Sequence, residues 1–222
     1  MFSQVYVPQI SLSLMVEALP YVLEGLPYTL GIAITTFITG NLLGVFLAFL
    51  DLLTFKPLKW FLTFYLSFLR GVPALVLLFI LYFGLPYQLS ALTAVIICFT
   101  LTCSAFSAEV YRGAISGVDQ GQWDAARALG WPFYKLVTLI ILPQAFRLAI
   151  PALGNIAMDL VKGTALAAMI TVPEIFQKAK IVGGREFDYM SLYVLVALIY
   201  WSLCIIIDRI QRKIEVRYGR YI

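Results

Sequence analysis

Residues 124–143 read DAARALGWPFYKLVTLIILP. The first half is charged and alanine-rich; the chain then breaks at Gly130, restarts at Trp131-Pro132 and runs into an apolar segment. A glycine just past a helical stretch suits a left-handed stop. A proline is tolerated in the first turn of the next helix, where its missing amide has no bond to lose. The spacing therefore predicts two short helices meeting at an elbow. Trp123, Ala126 and Leu129 fall near one face of the first helix, and Asp124 and Arg127, three apart, can pair on its surface. Asp119 followed by Gln122 has capping spacing, which predicts that the carboxylate takes an orphan amide and the Gln122 side chain reaches back. Ala125, Ala126 and Ala128 present little side chain, so a partner could approach closely. Two readings stand side by side: a docking knob, or an amphipathic connector lying on a membrane.

The surroundings of this stretch point to a bilayer. The chain has 222 residues, of which 62% are hydrophobic and 13% charged, whereas a soluble domain carries roughly 25% charged residues. Uncharged runs cover residues 25–50, 71–108 and 189–207. A spanning helix needs about 20 apolar residues, so the first and last runs each hold one span and the middle one holds most of two. Composition and runs together predict an all-α integral membrane protein with five transmembrane helices at about 28–50, 60–83, 89–108, 145–172 and 189–207. All of residues 1–222 are then one transmembrane domain, with 109–143 a polar loop. Within 60–83, Arg70-Gly71-Val72-Pro73 predicts an interruption: an amphipathic or partly embedded helix up to Arg70, then a span from about Pro73. Gly40 and Gly44 have small-xxx-small spacing, read as packing within the bundle. The stretch PEIFQKAKIVGGREFDYM, residues 173–190, reads as a polar loop.

Five crossings put the termini on opposite sides. With 109–147 cytoplasmic, that side receives Lys56, Lys59, Arg70, Arg112, Arg127, Lys135, Arg147, Arg209, Arg212, Lys213, Arg217 and Arg220, against Lys178, Lys180 and Arg185 opposite. The excess of Lys and Arg marks the cytoplasmic face, so the expected location is the cell inner (plasma) membrane, multi-pass, with the N-terminus outside and the C-terminus inside. The first 24 residues lack Lys and Arg, unlike the basic opening of a signal peptide, and none is expected. Cys98, Cys103 and Cys204 lie in apolar runs without metal-ligand spacing and read as packing thiols. The chain has no histidine, no metal-ligand cluster and no nucleophile elbow, which argues against a membrane hydrolase. No lysine is followed by Ser or Thr, so a phosphate-cradling P-loop is excluded.

The string 124–143 resembles the EAA loop of ABC-importer permeases, whose pattern is Glu-Ala-Ala, three residues, Gly, nine residues, then Ile-x-Leu-Pro. Asp124-Ala125-Ala126, Gly130, Ile140, Leu142 and Pro143 fill those positions, with Asp in place of Glu. LPYTLGIAITTF (26–37), FLRGVPALVLLF (68–79), EVYRGAISGV (109–118) and IPALGNIAMDLVKGTAL (150–166) are similar to the polar amino-acid branch of that family, over most of residues 22–210. The chain departs from it at Lys162-Gly163-Thr164-Ala165, where the family often has Lys-Asp-Thr-Ser.

The resemblance implies a type I importer permease fold and an amino-acid importer. Asp124, Ala125, Ala126, Leu129, Gly130 and Pro143 would form the loop that couples to a separate cytoplasmic ATPase dimer. ATP and Mg would be held by that partner, with no cofactor on this chain and no enzymatic activity of its own. A second permease subunit, identical or related, and an extracytoplasmic solute-binding protein complete the implied assembly. Membrane lipid surrounds it, and no nucleic-acid partner is expected.

Asp159 and Lys162 are the only charges between Arg147 and Glu174, and a charge at the bilayer centre costs about 2.5–3.5 kcal/mol on insertion scales. They either pair with each other or face a water-filled path, Asp159 toward an ammonium and Lys162 toward a carboxylate, with Asn155 adding a neutral contact. Arg70 either lines a gate or snorkels to headgroups. Glu109 and Arg112 read as a pair anchoring the loop. The alternative function is a self-contained secondary transporter or channel subunit, which predicts internal symmetry that the sequence does not display.

Overall fold

The computed structural model describes residues 10–52 and 55–218; Arg220 and the first nine residues, which entered the reading of sidedness, lie outside them. Every regular element among the described residues is helical: α1 (Leu12–Leu23), α2 (Leu26–Asp51), α3 (Lys56–Gly71), α4 (Ala74–Phe83), α5 (Ala91–Ser116), α6 (Gln120–Ala128), α7 (Phe133–Leu136), α8 (Leu142–Gly163), α9 (Ile175–Glu186) and α10 (Tyr189–Tyr218). A π-helical segment, Val137–Ile141, joins α7 to α8, and a 3-10 segment, Thr164–Ile170, follows α8.

Four helical stretches are long and apolar enough to cross a membrane: Leu26–Asp51, Ala91–Ser116, Phe133–Ile170 and Tyr189–Arg217. The predicted span at 60–83 is not a straight rod: α3 and α4 meet at a bend of 101°. Among the described residues this makes four candidate spans, or five if this bent pair is one. Pro73 enforces the break, because its ring cannot continue the ladder and pushes Val72 into an extended conformation (φ −87°, ψ 129°).

α5 is the central rod, packed by α2, α3, α4 and α8. Its contact with α2 is made by the two glycines: a Cβ on Gly40 would lie 2.6 Å from the Cys103 Cβ and Sγ, and one on Gly44 would lie 2.6 Å from the Ser107 Cβ. Only bare Cα atoms let the two helices sit this close, so both glycines are spent inside the chain.

Three differences from the sequence reading share one cause. α5 runs on to Ser116, past the expected end at 108, because Tyr111, Ala114 and Ile115 are buried against Ala48, Ala145 and Ala149. The short helix expected after Pro132 is not set off from the span at 145–172 but runs on through the π-helical segment into α8, because Val137 and Ile141 are fully buried in the same cluster. Residues 175–186, expected as loop, form α9, on which Lys178 donates to the Glu24 carboxylate at 2.8 Å and lies over the Tyr21 ring. In each case burial against another helix overrides local polarity.

Candidate functional site

The elbow at residues 119–136 is built from local hydrogen bonds. The Asp119 carboxylate accepts from the Gly121 amide at 2.8 Å and opens α6. Gln122 does not reach back as predicted: its Oε1 lies 3.4 Å from the Gln144 Nε2, which draws it toward α8. At the other end the Trp131 amide donates to the Ala126 carbonyl at 3.2 Å and the Gly130 amide to the Arg127 carbonyl at 2.9 Å. This crossed pair around a left-handed residue is a Schellman stop, and Gly130 has φ +71°. Pro132 then caps α7, its carbonyl accepting from Lys135 and Leu136.

The alanines divide by face. Ala126 is 2% exposed and packs inward with Leu136, Val137 and the flank of Trp123. It therefore seats α6 on the bundle. Asp124, Ala125, Arg127, Ala128 and Leu129 point away, and Leu129 is 76% exposed. Asp124 and Arg127 pair at 3.7 Å, and Arg127 lies 5.8 Å from the Trp123 ring centroid. Phe133 and Tyr134 extend the exposed apolar surface beyond the elbow, and Pro143 is exposed at the start of α8.

The second group lies on α8. Asn155, Asp159 and Lys162 share one face, all exposed. Lys162 Nζ sits 2.7 Å from Asp159 Oδ1, with side-chain exposures of 56% and 73%. The two residues pair with each other, on an exposed face of α8. Asp159 also lines a small cavity of about 170 Å³ with Ala74 of α4 and Phe99, Thr102 and Cys103 of α5.

Arg70 is not brought to this face. Its Nη2 lies 3.6 Å from Glu109 Oε1 and its Nε donates to the Leu66 carbonyl, while Arg112 holds the other Glu109 oxygen at 2.7 Å. Arg70 thereby ties the end of α3 to α5. A polar cavity of about 370 Å³ beside Glu109 and Arg112 also touches Asp51 at the end of α2.

One buried group escaped the sequence reading. Glu174 is fully buried at the start of α9, accepting from the Phe176 amide (2.9 Å), the Gln177 amide (2.7 Å) and the Tyr200 hydroxyl (2.7 Å). Burial pushes its carboxyl above the ordinary carboxylate range, and the donated hydrogen bonds partly oppose this. Gly25 admits the contact: a Cβ there would meet the Glu174 backbone at 2.5 Å. The legible signal was Glu174 followed three residues later by Gln177, a helix-start spacing.

Residues 40–220 match the family model described as binding-protein-dependent transport system inner membrane component. The chain belongs to this family. The permease is 48% identical over 212 residues to the probable amino-acid ABC transporter permease protein YckA of Bacillus subtilis (strain 168), covering 94% of each chain. It is 37% identical over 207 residues to the L-cystine transport system permease protein TcyB of the same organism, covering 91% of this chain and 88% of that one. Among solved structures it matches an amino acid ABC transporter with histidines at a TM-score of 0.89 and 30% identity, covering 94% of this chain and 99% of the other. It is accordingly a multi-pass membrane permease.

Proposed function

We propose that this permease takes up amino acids as the membrane subunit of an ATP-binding-cassette importer and is driven through the α6–α7 elbow by a separate ATPase dimer. The observation that carries the reading is the outward face of α6. Asp124, Ala125 and Leu129 stand clear of their own bundle on a helix that the Schellman stop and Ala126 hold fixed. A helix so anchored transmits displacement to α5 and α8, between which it is strung. ATP and Mg belong to the partner. The balance of basic residues supports the elbow side as cytoplasmic. The opposite side, with α9, then receives cargo from a solute-binding protein.

A second permease subunit, a copy or a relative, closes the pathway against the face bearing Asn155, Asp159 and Lys162. There the Asp159 carboxylate exchanges its Lys162 partner for the ammonium of the cargo, and Lys162 is released toward the cargo carboxylate. Arg70 acts outside this exchange, holding the α3–α4 bend to α5.

The test is reconstitution with the ATPase and binding protein in proteoliposomes. Leu129→Asp places a charge in the ATPase contact and weakens ATPase co-purification at least about tenfold without lowering the permease melting temperature. Asp159→Asn keeps the ATPase bound and lowers uptake. ATPase retention and uptake both unchanged in Leu129→Asp would overturn the coupling role; unchanged uptake in Asp159→Asn would overturn the cargo contact.

A further inference from the structure

A further cavity of the permease lies away from both groups above. It is an open groove of about 600 Å³ between α2, α8 and α10, with Ile38, Leu42 and Val45 on one wall and Phe146, Ile210 and Ile214 on the other. Ile150 of α8 lies on its floor. Asp159 is nine residues from Ile150, two and a half turns at about 3.6 residues per turn, so the polar face of α8 points the opposite way. The groove therefore lies on the far side of α8 from the proposed pathway and from the second permease that closes it.

Its lining is mostly apolar, and of its side-chain polar groups Gln211 Oε1 is buried without a hydrogen-bond partner. The Asn41 side chain donates to the Phe37 carbonyl and accepts from the Tyr111 hydroxyl. Gln211 Nε2 donates to the Pro151 carbonyl and to Glu215, and its amide packs on the bare Cα of Gly154. The amide and hydroxyl donors of the lining are thus spent within the chain, and a hydrocarbon chain fits without unpairing them.

One end of the groove is basic. α8 and α10 run antiparallel, since Thr164 meets Tyr200 and Pro151 meets Gln211; the end of α10 therefore lies on the elbow side. Thirty residues span about 45 Å, more than the roughly 30 Å hydrocarbon core, so the stretch from Asp208 onward reaches headgroup level. Lys213 and Arg217, one turn apart, are exposed, and each follows a groove isoleucine (Ile210, Ile214) by three residues. Neither joins an ion pair among the described residues, whereas Arg212 is held by Asp208 at 2.9 Å.

We propose that this groove binds one anionic phospholipid, an acyl chain lying along Ile38, Leu42 and Ile210 and the phosphate group meeting Lys213 and Arg217. Apolar walls supply the seat and the two unpaired cations supply the selectivity.

The experiment uses the assembled transporter with its ATPase, delipidated in mild detergent and titrated with phosphatidylglycerol or phosphatidylcholine of identical acyl chains. Bound lipid per permease is counted by native mass spectrometry. The wild type holds phosphatidylglycerol about 30-fold more tightly, the preference expected of two surface cations acting on a phosphate group. Lys213→Gln with Arg217→Gln binds both lipids equally. Ala157→Phe, which fills the groove, loses both, and Leu42→Trp at the rim provides a second filling variant should Ala157→Phe fail to assemble.

Equal affinity for the two lipids in the wild type, or a preference that survives the double Gln variant, overturns the proposal. So does a disulfide formed between copies carrying Leu42→Cys and Ile210→Cys, because a second permease would then cover the groove.

Discussion

Gly130→Ala isolates the contribution of one backbone angle to the elbow. A Cβ added at Gly130 meets nothing within 4 Å, so no packing is lost and no clash is created. The cost arises from φ +71°, a left-handed conformation that an L-residue adopts at about 1–2 kcal/mol. Alanine also stiffens the unfolded chain, but a net gain of about 0.4–1 kcal/mol requires a native angle alanine adopts without strain, and φ +71° is strained for alanine. A penalty of about 1–2 kcal/mol shifts a local equilibrium about 5–30-fold. The bonds at stake are Trp131 to Ala126 and Gly130 to Arg127. Hydrogen exchange followed by mass spectrometry on the intact permease therefore reports faster exchange by that factor in the peptide spanning residues 129–131, with α2 and α5 peptides unchanged. Gly130→Asn gives a smaller acceleration, because asparagine tolerates the left-handed region. If Gly130→Ala exchanges like the wild type, or if Asn and Ala behave alike, the stop does not hold the elbow and the coupling argument loses its mechanical basis.

Gly40→Ala and Gly31→Ala have opposite signs in thermal unfolding. Both gain up to about 1 kcal/mol of helix propensity, but Gly31 faces open space while Gly40 sits against Cys103. Overpacking costs about 1–3 kcal/mol, so Gly31→Ala raises the melting temperature, Gly40→Ala lowers it, and adding Cys103→Gly restores part of the loss; a stabilising Gly40→Ala would refute the close α2–α5 contact. Glu174 predicts a pH dependence. Its folded pKa is raised by burial, so its contribution to stability is complete below the ordinary value of about 4.5 and declines as pH rises through the folded pKa. Melting temperatures from pH 4 to 8 should show this decline in the wild type relative to Glu174→Gln; parallel curves would show that the carboxyl does not titrate abnormally.

Much of the architecture was legible because it is encoded by neighbours in sequence. Length of apolar run marks a helix that must satisfy its backbone within the bilayer, and the spans expected at 28–50, 89–108, 145–172 and 189–207 each overlap a helical stretch long and apolar enough to cross. Pro73 ends α3 through its own ring, and Gly130 marks the elbow because glycine tolerates its angle. Even the small-xxx-small pair at Gly40 and Gly44 could be assigned to packing, although not to a specific partner.

What the sequence could not decide is which groups meet. Arg70 and Glu109 are 39 residues apart, and only the approach of the α3 end to α5 makes them a pair. Ala126 and Ala125 are chemically identical neighbours, yet the seat formed by Leu136 and Val137 turns one inward and leaves the other outward. Residues 175–186 read as loop because their polarity was judged against water. In the fold Lys178 is only 17% exposed and paired to Glu24, and the buried Glu174 caps the helix. Backbone geometry is set within a few residues and so can be read in order along the chain; burial and pairing depend on groups brought together from far along it, and only the packed bundle determines those.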